Sequence, residues 1–228
     1  MPVKHRVKEF LPGGIYHIYS RGIEERQIFA DEKDFDKFIG FMRTYAGEYE
    51  DEAVKPGFKS ERLYVKRRRR AMNLHGEVEV WAYCLMPNHF HLLVKQNSVD
   101  GITKFMRRIL TGYVMYFNEK YERRGGLFEG IYKGVLVDSV KKAAYLSRHI
   151  HLNPAVRTVR KFGPVEAVTS SRPLDYPYSS YKDYLGQRTR SWVVTGPILN
   201  EIEEGKSYEE WGERTRVDDG ELGELLLD

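Results

Sequence analysis

The chain is poor in cysteine, in long apolar runs and in repeats, and each shortage removes a class of protein. Its single cysteine, Cys84, excludes an internal disulfide and suits a reducing cytosol. No apolar run approaches the roughly 18 residues that a membrane helix needs, so no membrane partner is expected. The start, Met1-Pro2-Val3-Lys4-His5-Arg6, runs into charge and then Pro12-Gly13-Gly14 without an apolar stretch, so no signal peptide is expected. The composition is that of a globular protein: 41% hydrophobic, 13% aromatic and 31% charged residues, with a mean hydropathy of −0.56. A length of 228 residues suits one domain of about 150 residues with attachments, or two small ones.

Charge is unevenly spread. The stretch Leu199–Asp228 holds 11 acidic and 3 basic residues, so with a chain total of +4 the first 198 residues carry +12. A body that basic suits a polyanionic partner. Its sharpest feature is Lys66-Arg67-Arg68-Arg69-Arg70, preceded by Lys59 and Arg62 and opposed only by Glu61. The run reads either as a solvated loop or as a contact to a phosphate backbone, where neutralised phosphates release counterions.

Periodicity orders the chain. Ile15 to Ser20 is rich in β-branched and aromatic residues and is ended by Arg21-Gly22, which predicts a strand. Asp31 can cap a helix carrying Phe35, Phe38, Ile39 and Met42 and ending near Gly47. From Glu48 to Gly76 the pattern breaks into charge, an inserted loop with room for a short helix around Glu61–Arg70. Strands are expected from Val78 to Leu85 and from His89 to Lys95, joined by the turn residues Met86-Pro87-Asn88. A long amphipathic helix follows, from about Asp100 to Tyr121, then a strand around Tyr132 to Val137. The last helix begins at Asp138 or Ser139 and is expected to stop near Asn153, because Pro154 disfavours helical geometry in the residue before it. The order β-α-β-β-α-β-α predicts an α+β fold: a ferredoxin-like or RRM-like sandwich with a mainly antiparallel sheet, two long helices on one face and a C-terminal helical extension.

On a strand, side chains alternate, so His89 and His91 project from one face while Phe90 points into the core. Two imidazoles so placed can pinch a divalent metal, or can simply be core or surface residues. On the last helix Tyr145, His149 and Asn153 are spaced i, i+4, i+8 and share a stripe. That stripe either faces the two histidines or is a solvated face with Asn153 as a cap. Tyr113 and Tyr116 read as core. His17 reads as structural or as a contact on the sheet face. Arg107-Arg108 and Arg123-Arg124 could hold phosphates or stay solvated. Tyr176, Tyr178 and Tyr181 could stack on unpaired bases, at about 1–3 kcal/mol each, or pack the tail.

Several segments occur in order: Tyr16-His17-Ile18-Tyr19-Ser20-Arg21-Gly22, Ile28-Phe29, Trp81 through Val94 with Met86-Pro87-Asn88-His89-Phe90-His91 at its centre, Gly125-Gly126-Leu127-Phe128-Glu129-Gly130, and His149-Ile150-His151-Leu152-Asn153-Pro154. Together they resemble the REP-associated tyrosine transposases, a branch of the single-tyrosine HUH transposases typified by short bacterial insertion sequences. The resemblance spans about residues 10 to 185.

It implies residues 1–160 as a transposase-like HUH endonuclease domain, with a basic insertion at about 48–76, and 161–228 as a C-terminal extension with an acidic tail. It implies metal-assisted cleavage and rejoining of single-stranded or hairpin DNA, including repetitive palindromes, through a 5′-phosphotyrosyl link in DNA transposition. His89, His91 and Asn153 are the implied ligands of Mg²⁺ or Mn²⁺. DNA contacts are expected from Arg21, Lys66, Arg67, Arg68, Arg69, Arg70, Arg107, Arg108, Arg123, Arg124 and Lys133. The protein is expected in the cytoplasm with the nucleoid, as a monomer or homodimer.

Two departures stand out. The position of the family's catalytic tyrosine, four residues before Asn153, holds His149. Tyr145 lies one turn earlier, about 6 Å along the axis. Ile131 stands where the family usually has an arginine. Either Tyr145 or His149 attacks phosphorus, or the chain is a catalytically weakened, domesticated binder of hairpin DNA; RNA binding is a third expectation.

Overall fold

The computed structural model describes residues 9–49, 72–156, 176–202 and 205–214, apart from the side chains at 153, 155, 156, 213 and 214. Among these residues, four strands form one antiparallel sheet in the order β2-β3-β1-β4: β1 is Ile15–Arg21, β2 Val78–Met86, β3 His89–Gln96 and β4 Lys133–Val137. The helices are α1 (Glu32–Ala46), α2 (Gly101–Lys120), α3 (Val140–Val156) and the shorter α4 (Tyr181–Tyr184), α5 (Gly196–Leu199) and α6 (Tyr208–Arg214). This is the expected α+β arrangement with a mainly antiparallel sheet.

Register assigns each strand residue to a face. Ser20 lies opposite Phe90, Ile18 opposite Leu92 and Tyr16 opposite Val94, and this apolar face carries α1 and α2. Phe38 of α1 packs 5.2 Å from Phe90 and 5.2 Å from Tyr113 of α2, ring centre to ring centre. Both helices present apolar side chains at i, i+3, i+4 spacing: Phe35, Phe38 and Met42 on one, Ile102, Phe105, Met106, Ile109 and Tyr113 on the other, all buried.

Asp31 caps α1 by accepting from the Asp34 N–H at 3.1 Å, and the buried Asp34 carboxylate gathers the Ala30 N–H at 2.8 Å, the Tyr121 hydroxyl at 2.8 Å and Lys120 Nζ at 2.7 Å. That network ties the start of α1 to the end of α2. Desolvation works to raise the Asp31 carboxyl, but the Lys120 and backbone hydrogen bonds outweigh it and hold the group below its ordinary range.

The opposite face alternates with the first: Tyr19 lies opposite His91, His17 opposite Leu93 and Arg21 opposite His89, while β4 adds Lys133 beside Tyr19 and Val135 beside His17. Helix α3 covers part of this face, packing against β2, β3 and β4. It also corrects one expectation, because it continues through Pro154 to Val156. Proline removes one N–H and biases the residue before it, a cost confined here to the last turn, and Pro154 is itself buried.

The outer edge of β2 is closed by the C-terminal segment. Leu85 N donates to Tyr178 O at 2.9 Å, Ser180 N to Tyr83 O at 3.0 Å and Val194 N to Val80 O at 2.9 Å. Tyr176, Tyr178 and Tyr181 are buried in this packing, which settles them as part of the core and not as stacking platforms for bases. No described helix is long and apolar enough to cross a membrane.

Candidate functional site

The site is built where β3 begins and β1 ends. The turn before β3 is held by the first loop: Gly22 N donates to Asn88 O at 2.8 Å, and Ile28 N and Phe29 N both donate to Pro87 O, at 2.8 and 3.0 Å. Gly22 lets the loop fold back over itself, since a Cβ there would sit 2.1 Å from Arg26 O. The turn thereby fixes Asn88, whose Oδ1 lies 2.7 Å from His89 Nδ1. An amide oxygen can only accept, so Nδ1 of His89 carries the proton and Nε2 carries the lone pair.

His89 and His91 stand side by side as alternation requires, ring centres 5.0 Å apart and planes at 89°. His91 is buried and meets His17 of β1, with its Nδ1 2.9 Å from His17 Nε2. The two rings stack at 5.1 Å, and Tyr19 stacks on His17 at 4.9 Å. Lys133 Nζ lies 5.4 Å from the centre of the Tyr19 ring.

Two adjacent imidazoles, each with its Nδ1 in a hydrogen bond, fit a divalent ion when both are in the tautomer that carries the lone pair on Nε2. Among the described residues no group of three or more His, Cys, Asp and Glu side chains is arranged to hold one. The carboxamide of Asn153 is the expected third donor. It belongs to α3, which crosses this face, and its side chain lies outside the described residues.

Helix α3 sorts its polar stripe. Ala143, Leu146 and Ile150 form a buried row, and half-buried His149 flanks it. Tyr145 lies further round the helix, its ring stacked on Trp211 of α6 at 5.7 Å. Ile131 is 62% exposed on the loop before β4.

The expected DNA contacts separate. Arg21 and Lys133 come from the histidine-bearing face. Arg21 is paired with Glu129, and with Glu25 at 3.6 Å. The Glu129 carboxyl is held below its ordinary range by the Arg21 hydrogen bond, against desolvation, with the Arg21 and Lys133 charges adding to the lowering. Arg107 and Arg108 belong to α2, on the opposite layer, and Arg108 Nη1 donates to Met72 O. Arg123 closes the end of α2, donating to Asn118 Oδ1 at 3.1 Å, and Arg124 is exposed beside it. Lys66, Arg67, Arg68, Arg69 and Arg70 lie outside the described residues.

Two histidines carry more than their sequence context suggests. His17 partners His91, although the strand register that joins them has no local signal. His151 is fully buried and bridges Tyr208 OH, 2.8 Å from Nδ1, and Ser180 Oγ, 2.7 Å from Nε2, pinning α3 to the C-terminal segment. Burial, with the Arg188 charge adding, depresses its pKa to about 3, so it is neutral at physiological pH.

Comparison with known proteins bears on the family and the fold. Residues 58–153 match the family model described as transposase IS200-like. No curated protein matches. Among solved structures, the fold is similar to that of a REP-associated tyrosine transposase bound to a REP hairpin: TM-score 0.51 and 13% identity, covering 84% of this chain and 92% of that one.

Proposed function

We propose, for a chain that belongs through residues 58–153 to the IS200-like transposase family, that it recognises single-stranded or hairpin DNA with the histidine-bearing face of its sheet and holds a divalent ion there for phosphodiester cleavage and rejoining. The observation that carries this reading is the pair His89 and His91 on one face, ring centres 5.0 Å apart, with Asn88 setting the tautomer of the first. Arg21 and Lys133 on the same face and the basic body of the chain suit a polyanion, and the solved relative's hairpin ligand makes DNA the first polyanion to test.

Imidazole nitrogens joined by the carboxamide oxygen of Asn153 and phosphate oxygens suit Mn²⁺ or Mg²⁺. Such an ion, when bound, acts as a Lewis acid on the scissile phosphate. The chain's own residues do the rest. Lys133 places positive charge beside Tyr19 at the end of the sheet, and the Arg21 guanidinium matches a phosphate once its carboxylate partners give way. His149 takes the nucleophile's part: an imidazole nitrogen forms a P–N bond as the P–O3′ bond breaks, and the released 3′ oxygen takes up a proton. Tyr145 can replace it only by leaving its stack on Trp211.

A second reading, recognition of hairpin DNA without cleavage, is favoured by one observation. The family's tyrosine slot holds His149, and the tyrosine one turn earlier is engaged with Trp211.

The test is incubation of the chain and Mn²⁺ with labelled single-stranded hairpins from the DNA flanking its own gene, followed by a denaturing protein gel. An acid-labile adduct lost in His149→Ala establishes histidine chemistry, and an acid-stable adduct lost in Tyr145→Phe establishes the tyrosine. Tight binding with neither nick nor adduct leaves recognition alone. Preference for the matched RNA hairpin overturns DNA as the ligand.

A further inference from the structure

His17 is 2% exposed and His91 1%, yet each turns a polar ring nitrogen on the other at 2.9 Å. Two buried imidazoles at that distance share one proton, because a facing pair of N–H groups or of lone pairs would leave both buried nitrogens unsatisfied. The proton sits either on His17 Nε2 or on His91 Nδ1. In the first case His91 is protonated on Nε2 and has no lone pair there; in the second its Nε2 is a ligating nitrogen. His89 already has its tautomer set by Asn88, so the pair becomes a matched donor set only in the second case.

We propose that His17 is a positioning residue for the metal site, an inference that rests on the reading of His89 and His91 as ligands. By accepting the Nδ1–H of His91, it holds that ring in the ligating tautomer and orientation. It touches neither the ion nor the DNA. The plain packing alternative is available, since His17 also stacks on His91 at 5.1 Å and on Tyr19 at 4.9 Å. Two substitutions pull the roles apart: His17→Phe keeps a flat ring for the stack and loses the acceptor, whereas His17→Gln loses the ring and keeps an acceptor near the position of Nε2.

The measurement is Mn²⁺ binding to the full chain, read from the free-ion electron paramagnetic resonance signal, with each variant's folding checked by its thermal transition. Affinity is expected to fall about 10–100-fold in His17→Phe and to stay within about threefold of the parent in His17→Gln. Parental affinity in His17→Phe, or a loss only in His17→Gln, overturns the inference and leaves packing. The His89→Ala/His91→Ala variant separates this from the broader reading: if it binds Mn²⁺ like the parent, the ligand assignment fails and the role of His17 fails with it. If His17→Phe does not fold, the parent chain labelled with ¹⁵N-histidine and loaded with Zn²⁺ decides. A proton on His91 Nδ1, coupled across the hydrogen bond to His17 Nε2, is expected; its absence overturns the proposal.

Discussion

The two faces of the sheet are made from the same strands yet follow opposite rules. One presents Tyr16, Ile18, Phe90, Leu92 and Val94 to α1 and α2 and is held by apolar burial. The other presents His17, Tyr19, Arg21, His89, His91 and Lys133, groups that stabilise little unless each finds a specific partner. Alternation along β1 and β3 makes the second face a by-product of the first. Once the apolar residues are committed to the helices, the residues between them must meet on the far side, and chemistry is concentrated there with its backbone already rigid.

The sharpest way to break that division is to truncate one residue on each face and compare. Phe38→Ala removes a fully buried ring packed on Phe90, Tyr113 and Phe29, and should lower stability by about 3–5 kcal/mol in urea titration. His89→Ala, at a half-buried site on the other face, should stay within about 1 kcal/mol of the parent. Equal losses would mean that the histidine face is structural after all.

How much of this was open to a reader of the sequence follows the same division. Period-2 and period-3.6 patterns locate β1 to β3, α1 and α2, and alternation alone places His89 with His91 and turns Phe90 away. What escapes is every relation set by pairing between distant segments. The meeting of His17 with His91 depends on β1 pairing with β3 in one register, and a shift of one residue would send His17 to the apolar side. The stack of Tyr145 on Trp211 and the role of His151 depend on a C-terminal segment whose own periodicity is weak. Pro154 misleads for a local reason: the proline rule is a bias, and a helix that loses one bond in its last turn can continue.

His151 gives a pH signature that belongs to the junction of α3 with the C-terminal segment. Its folded pKa of about 3 lies below the unfolded value of about 6.5, so the unfolded chain binds the extra proton. The contribution is complete above pH 6.5 and is lost as pH falls toward 3, amounting to about 2 kcal/mol by pH 5. Urea titrations at pH 7 and pH 5 should show that loss in the parent, and the difference should shrink by a similar amount in His151→Gln. An unchanged difference would place the proton elsewhere.

Gly22 and Asn88 sharpen the comparison at the junction of the two faces. Gly22→Ala forces a Cβ to 2.1 Å from Arg26 O and should cost about 1–3 kcal/mol, since the loop cannot move without releasing Asn88. Asn88→Ala should leave stability nearly unchanged and weaken Mn²⁺ binding by about 10-fold, because His89 loses the acceptor that fixes its tautomer. A Gly22→Ala chain with full stability but weakened Mn²⁺ binding would show that the loop serves the histidines alone.

The smallest effect is the most specific to DNA. Arg21 lies on the histidine-bearing face, but its guanidinium is occupied by Glu129, a carboxylate standing where a phosphate would. If DNA reaches Arg21 it displaces one anion to install another, and the net gain there is the difference between two similar ion pairs. Glu129→Gln removes the competitor while keeping the size of the side chain. Because the pair is exposed, thermal stability should not move, whereas hairpin affinity should rise about two- to fivefold at low salt. The slope of log affinity against log salt should steepen by about one unit, as one more phosphate is neutralised. If both affinity and slope match the parent, the Arg21 charge does not reach the DNA, and recognition by this face rests on Lys133 and the stacked rings beside it.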